Sequence, residues 1–496
     1  MEQTLTRPRT FAGLPRTLYP VAGLTVFDTT TFFGLQSLLV YYIYFATDEG
    51  GLGFSVDSAI AISAAFGACT YLATIVMGWF ADRVIGAGRA LGWGAWIAAV
   101  GYLAIGLIPG PIGLAIGLVG VVIGASSMWV GESALVGGAL NDFPTKRESG
   151  FTIYYVGGAS GAFIGVLLAG ILQSSVGFTI GFVISAVVLV TGRLLYSPFR
   201  RRVELTAPRV APEARATPGQ IVAVAAVVSA AAIILVAVVA SGLNPATVIG
   251  AVSVVYAIVF FTKLLRDRSL DAEAKRSIVG YLPFFVATFV FNGLYQQLYG
   301  SVAVYSEGST DRAVLGMELP PSTILAAAPL CSIFLAPILA IIWGKLGSRQ
   351  PSLAVKFGTS FAICSSALLL LALSSASGEK TPVVILALIV LAFGAADIVV
   401  TPSGLSLASL VGPPAFSTRM IAVQYLGIAG GIALAGTAGE WFNPGSNEAM
   451  YFGICAIVGI SVAVGMFATP ALLRRFSGSR VEGDAAGSTR TTSVGR

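Results

Sequence analysis

The sequence predicts an all-α protein that crosses a membrane many times. Three observations carry this. Of 496 residues, 56% are hydrophobic and only 10% are charged, whereas a soluble globule carries roughly a quarter of its residues charged. Apolar windows of about 20 residues, enough to cross about 30 Å of hydrocarbon, follow one another along the chain. They are too long and too continuous for the alternating segments of about 10 residues that build a membrane barrel. Finally, Lys and Arg gather in every second loop, as the positive-inside rule requires.

Taken in order, the chain opens on a polar, basic stretch, MEQTLTRPRTFAGLPRTLYP. Residues 1–17 read as a cytoplasmic tail, because the apolar run that follows is too long for a signal peptide and has no small-residue cleavage site. Six spans between Leu18 and Tyr196 make an N-terminal half, 18–196. A basic linker and two spans between Gln220 and Thr262 fill 197–278 as an inserted helical hairpin. Six more spans between Val279 and Leu473 make a C-terminal half, 279–475. The total is about fourteen spans by length and hydropathy. Residues 476–496 are polar and small and read as disordered.

Orientation follows from charge. Arg83 and Arg89, Lys146 and Arg147, the stretches Arg200 to Arg215 and Lys263 to Arg276, Lys345 with Arg349 and Lys356, Arg419, and Arg474 with Arg475 all fall on one side. The opposite loops carry Asp48, Glu49, Glu307, Asp311 and Glu440. Basic loops face the cytoplasm, so both termini are placed inside a cell (inner) membrane. The net charge of +6 is thereby accounted for, with the lipid bilayer as partner and no nucleic acid.

Composition also excludes chemistry. The chain has no histidine, which removes His metal ligands, His proton relays and Ser–His or Cys–His nucleophiles. The four cysteines, Cys69, Cys331, Cys364 and Cys455, lie in apolar windows and read as unpaired thiols. Neither a metal nor a cofactor is expected, and the chain is not expected to be an enzyme. Proton handling, if present, falls to carboxylates inside the spans, which are costly to bury and therefore usually have work to do. Asp28 in LTVFDTTTFFG, Glu132 and Asp397 are the three candidates.

The loop after the second span, GWFADRVIGAGRA, has a plain physical logic. Gly78 permits close helix approach, and Asp82 at a helix end can pair with Arg83 or Arg89. Such a clamp would hold one side of a two-halved bundle shut and open as the halves rock. This loop resembles the signature of the major facilitator superfamily, and WGKLGSRQPS is a weaker echo at the matching place in the second half. The fold so implied is two six-helix halves plus two inserted helices. Further stretches resemble the proton-coupled oligopeptide transporter (POT/PTR) family of that superfamily. They are Pro15 to Gly34 on the first span, GESALVGGALND and ESGFTIYYVGGASGAFIG on the fourth and fifth, and Ala396 to Pro413 (ADIVVTPSGLSLASLVGP) on the tenth. The inserted hairpin is typical of bacterial members.

The departures from that family's pattern bear on function. Its first-span Glu-x-x-Glu-Arg falls on Thr25, Asp28 and Thr29. Its fourth-span lysine falls on Trp129 and its fifth-span asparagine on Ala159. Phe-Glu-Gln of the seventh span becomes Tyr295, Gln296 and Gln297. The eighth-span asparagine becomes Ala328, and the eleventh-span tryptophan becomes Gln424. The tenth-span glutamate becomes Asp397. Tyr71, Tyr154 and Tyr155 complete the substrate-facing candidates.

A dipeptide zwitterion needs cations or strong donors for its carboxylate and a carboxylate for its ammonium. The cations are absent here and the acids remain, with Glu132 added. The resemblance implies a secondary active transporter, a symporter working by alternating access, with protons as the candidate coupling ion. The residues adjust the expected substrate toward a neutral, cationic or C-terminally blocked peptide-like molecule. A uniporter or exporter without proton coupling, and a non-transporting receptor on the same fold, are the alternatives. The chain is expected to be monomeric. Each acid also has a structural reading: Asp28 capped by its threonine neighbours, and Glu132 paired with Lys146 or Arg147.

Overall fold

Backbone N–H and C=O groups in a bilayer must bond within the segment, and helices meet that demand. The computed structural model describes residues 10–11, 13–141, 143, 146–205, 215–268, 270–314, 316–411 and 417–476. Residues 1–9 of the N-terminal tail, 206–214 of the linker and the tail from 477 lie outside the described residues. In chain order the helices are α1 (Leu18–Tyr44), α2 (Val56–Phe80), α3 (Ala87–Leu107), α4 (Gly110–Ala139), α5 (Arg147–Tyr196), α6 (Arg200–Glu204), α7 (Pro218–Ala240) and α8 (Pro245–Arg266). They continue as α9 (Ala272–Gln296), α10 (Ser301–Gly308), α11 (Ala327–Leu346), α12 (Leu353–Ala376), α13 (Val383–Leu410), α14 (Ser417–Ala438) and α15 (Glu448–Phe476). Three two-residue strand pairs dress the ends, among them Thr310–Asp311 parallel to Thr381–Pro382.

Among the described residues, 12 helical stretches are long and apolar enough to cross a membrane. One of them, Ser149–Tyr196, has 48 residues, about 72 Å at about 1.5 Å per residue. Its path is broken at Gly177, whose φ of +82° lies where only glycine sits without strain. α1 is not one of the 12; Asp28, Thr29, Thr30, Thr31, Gln36 and Ser37 dilute its apolar content. Prolines interrupt the hydrogen-bond ladders of α9 (Pro283), α11 (Pro337) and α13 (Pro402), all in the second half.

Small residues set the helix contacts, as expected where lipid competes for every apolar surface. α1 lies on α5 along Gly157, Gly161 and Gly165. A Cβ at these positions would stand 2.9 Å from the Ala22 carbonyl oxygen, 2.3 Å from that of Val26 and 2.0 Å from that of Thr30. Gly431 meets the Phe289 carbonyl of α9 in the same way. α8 packs on α14 and α2, whereas only 6% of α7 is buried. The four cysteines are unpaired.

The halves are joined at one end of the bundle. There the Tyr41 hydroxyl of α1 donates to the Ala303 carbonyl at 2.7 Å and exchanges a bond with Ser306 at 3.0 Å. Tyr44 donates to Glu307 at 3.3 Å, and Gly170 of α5 faces Ser322 and Thr323. Contact between α2 and α14 then thins along the axis. Gly436 sits against Ala64, Gly67 against Ile432, and Tyr71 against Tyr425 with ring centroids 6.3 Å apart. At Gly78 nothing among the described residues lies within 4 Å of a would-be Cβ. The close approach expected at Gly78 is therefore not made. Asp82 and Arg83 are exposed, and Asp82 forms no ion pair within 4 Å among the described residues. The clamp expected from Asp82 with Arg83 or Arg89 is not closed, because the halves have already parted at this end.

Candidate substrate and coupling site

Asp28 and Glu132 are 1% and 0% exposed. Facing surfaces of α1 and α4 bring them together. Thr25 of α1 donates to Glu132 Oε2 at 2.8 Å, and the Trp129 indole of α4 faces the Asp28 carboxyl. Each donor stands three residues before the acid on its own helix, and because α1 and α4 run antiparallel the two contacts form successive rungs of a ladder. Tyr154 of α5 adds a bond to Glu132 Oε2 at 3.3 Å. Asp28 Oδ2 and Glu132 Oε1 are buried with no partner.

This corrects two expectations. The threonines do not cap Asp28. Thr29 and Thr30 donate to the Thr25 and Val26 carbonyls, and Thr31 donates to the backbone carbonyl of Asp28; a helical hydroxyl one turn on reaches the carbonyl behind it more readily than a neighbouring carboxyl. Glu132 pairs with neither Lys146 nor Arg147, since it lies two turns inside α4 with its side chain turned to α1.

Asp397 sits on α13, half-buried, and accepts from Thr401 one turn on at 2.6 Å. Tyr71 (α2), Tyr155 (α5), Tyr295 (α9) and Tyr299 all lie within electrostatic range of its charge. Both halves thus contribute to one acid-centred aromatic site. Trp129 extends this wall toward the acid pair, with its ring 5.8 Å from Tyr71 and 4.8 Å from Phe32. Tyr299, Tyr425 and Thr401 were not singled out from the sequence. A signal existed for two of them, because Tyr299 follows Tyr295 and Thr401 follows Asp397 by one helical turn.

The remaining candidates divide. Gln296 is buried beside Gly67 and Gln36 with its Nε2 unpartnered, a spare donor at the seam between the halves. Gln297 is spent inside the second half, accepting from Ser301 at 2.6 Å and Tyr451 at 2.8 Å. Gln424 is likewise occupied, bonded to Tyr281 and donating to Thr288 at 3.0 Å. Ala328 is wholly buried with its carbonyl against Gly394 of α13. Ala159 is buried and offers no polar atom. Thr25 and Thr29 serve the α1 ladder and backbone. Gln297, Gln424 and Ala328 are thus packing residues in this conformation, not parts of the aromatic site.

A helical bundle of two halves, joined at one end and enclosing a polar site at the seam, defines a membrane carrier. Residues 89–464 match the family described as PTR2: POT family, and the chain belongs to it. "Uncharacterized transporter YclF" of Bacillus subtilis (strain 168) is 26% identical over 476 residues, covering 94% of this chain and 96% of that protein. A "Di-/tripeptide transporter" of Lactococcus lactis subsp. cremoris is 28% identical, with 92% and 95% covered. The crystal structure of peptide transporter POT in complex with sulfate superposes with a TM-score of 0.87 at 27% identity, covering 95% of this chain and 98% of the other. The fold is that of the major facilitator superfamily, and these relatives are transporters and not enzymes.

Proposed function

We propose that this chain is a secondary transporter that moves a peptide-like molecule with a cationic end and a neutral, amidated or otherwise blocked far end, coupled to protons. The observation that carries the reading is Asp397, a carboxylate with Tyr71, Tyr155, Tyr295 and Tyr299 from both halves within electrostatic range. An ammonium group placed there gains a charge-assisted bond and aromatic faces. The positions that carry cations in the family are Trp129 and Thr29, so a free carboxylate has no matching charge. The unpartnered Gln296 amide supplies a donor for a carbonyl. The Lactococcus lactis relative, a di-/tripeptide transporter, supports the peptide character.

Counting α5 as two crossings and adding α1 gives fourteen spans in this reading, with residues 18–196 and 279–475 as the rocking halves and 197–278 as the inserted linker and hairpin. By the positive-inside rule the parted end faces the cytoplasm of a monomeric inner-membrane protein, so the conformation is inward-facing. Asp28, Glu132 and Asp397 are the coupling acids.

The test uses proteoliposomes and a radiolabelled dipeptide amide. Uptake should rise when the outside is made acid relative to the lumen. Uptake indifferent to an imposed pH gradient would contradict proton coupling and favour the uniporter.

A further inference from the structure

Asp28, Glu132 and Asp397 are the three candidate coupling acids of the proposed function. The geometry points to something different for two of them: we propose that Asp28 and Glu132 form a single proton-binding unit, which holds one proton between them as the N-terminal half cycles. The inference deepens the proton-coupled reading above and rests on it for its transport meaning only.

Thr25 and Asp28 are three residues apart on α1, and Trp129 and Glu132 are three apart on α4. Thr25 bonds across to Glu132, and the Trp129 indole faces Asp28. The two helices run antiparallel, so these contacts stack as successive rungs, and the two carboxyl groups lie diagonally across one seam within range of each other's charge. The partners of both acids are donors: a hydroxyl, an indole and a phenol. None is a cation, and the chain has no arginine or lysine in α1 or α4.

Each acid then has one oxygen left without a partner, Oδ2 on Asp28 and Oε1 on Glu132, both shut off from solvent. Two carboxylates buried on one seam within range of each other's charge cannot both stay charged without large cost, and a single proton shared by the pair relieves the repulsion. One proton also supplies the missing donor to one of the two orphaned oxygens and charge relief to both. In the cycle the pair takes up a proton from the water on one side and releases it on the other, with no other group changing bonds.

The other titratable groups around the pair do not alter this. Tyr102 of α3 lies near Thr31 and within range of Asp28. Tyr154 of α5 is bonded to Glu132, and Tyr196 at the far end of α5 is within range of it. Arg193 lies over the Tyr196 ring, 5.8 Å from its centroid.

The test needs no substrate, so its failure is separable from failure of the transport reading. Purified protein in lipid nanodiscs is titrated from acid to alkaline pH while the infrared carboxyl C=O band is followed. The variants are Asp28→Asn, Glu132→Gln and the double variant. The expected result is a coupled pair: either single substitution changes the titration of the acid that remains, and the double variant loses the wild type's buried-carboxyl signal entirely. Melting temperature at alkaline pH should rise in each single variant, and the double variant should gain no more than the larger single gain. Two separate titrations, each removed by one substitution and leaving the other unchanged, would overturn the proposal, as would additive melting shifts. A titration that disappears on exchanging choline for sodium at constant ionic strength would overturn it too, since the pair would then hold sodium. Thr25→Val, which keeps both acids and the shape of the site, guards against misfolded variants: it should alter the titration while retaining the carboxyl signal, and an unchanged titration counts against the ladder.

Discussion

The α1–α5 seam gives a prediction whose size can be worked from coordinates. At Gly165 an added Cβ would stand 2.0 Å from the Thr30 carbonyl oxygen and 2.8 Å from that residue's carbonyl carbon and Cα. All three are backbone atoms, so no side chain can swing away. Ordinary contact begins at 3.4 Å, so α1 must retreat from α5 by more than about 1 Å. Overpacking of a close-packed interior costs about 1–3 kcal/mol. Gly158 faces the same helix, α1, where the seam is looser. Its Cβ would meet only Thr25 Cγ2 at 3.6 Å and Thr29 Cγ2 at 3.8 Å. Alanine there should be neutral or stabilise by up to about 1 kcal/mol through helix propensity. The assay is the melting temperature of Gly165→Ala and Gly158→Ala in the same detergent, followed by tryptophan fluorescence. Gly165→Ala should melt clearly below the parent, and Gly158→Ala at or above it. Equal melting of the two variants would refute the packing argument, because they differ only in which atoms the new methyl group meets.

Other predictions follow from single contacts. Asp397→Asn removes the charge from the aromatic site and should weaken binding of an amine-bearing ligand by roughly 10- to 150-fold, from about 1.5–3 kcal/mol for a charged hydrogen bond; isothermal titration with a dipeptide amide measures it. Tyr41→Phe breaks the bonds to Ala303 and Ser306 that join the halves. At about 1 kcal/mol the outward-open fraction should rise roughly fivefold, read by spin-label distances across that end. Gln424→Leu should destabilise the protein by about 1–3 kcal/mol, because Thr288 and Tyr281 lose their buried partner, and it should leave the binding affinity within about twofold.

Much of the fold was legible because a bilayer restricts what a chain can do. Long apolar windows of this kind can only be helices. The acids Asp28, Glu132 and Asp397 were legible for the same reason, since a carboxylate in such a window stands out. Their partners were not. Nothing in the order of residues says that Trp129 turns to Asp28 while Thr25 turns to Glu132, because the two helices stand more than a hundred residues apart in sequence. Aligned positions were a weak guide to orientation: Gln297 and Gln424 fall on binding positions of the family yet find bonds inside the second half. Gly78 shows a further limit. Its motif suggests a close helix contact, and in this structure nothing among the described residues approaches it.

The proposed site has a carboxylate for one end of its substrate and no cation for the other. The most direct measurement compares alanyl-alanine with its C-terminal amide, each titrated into the purified protein at the same pH and ionic strength. The account predicts that the amide binds at least about tenfold more tightly, the equivalent of about 1.4 kcal/mol. Equal binding, or preference for the free carboxylate, would contradict it.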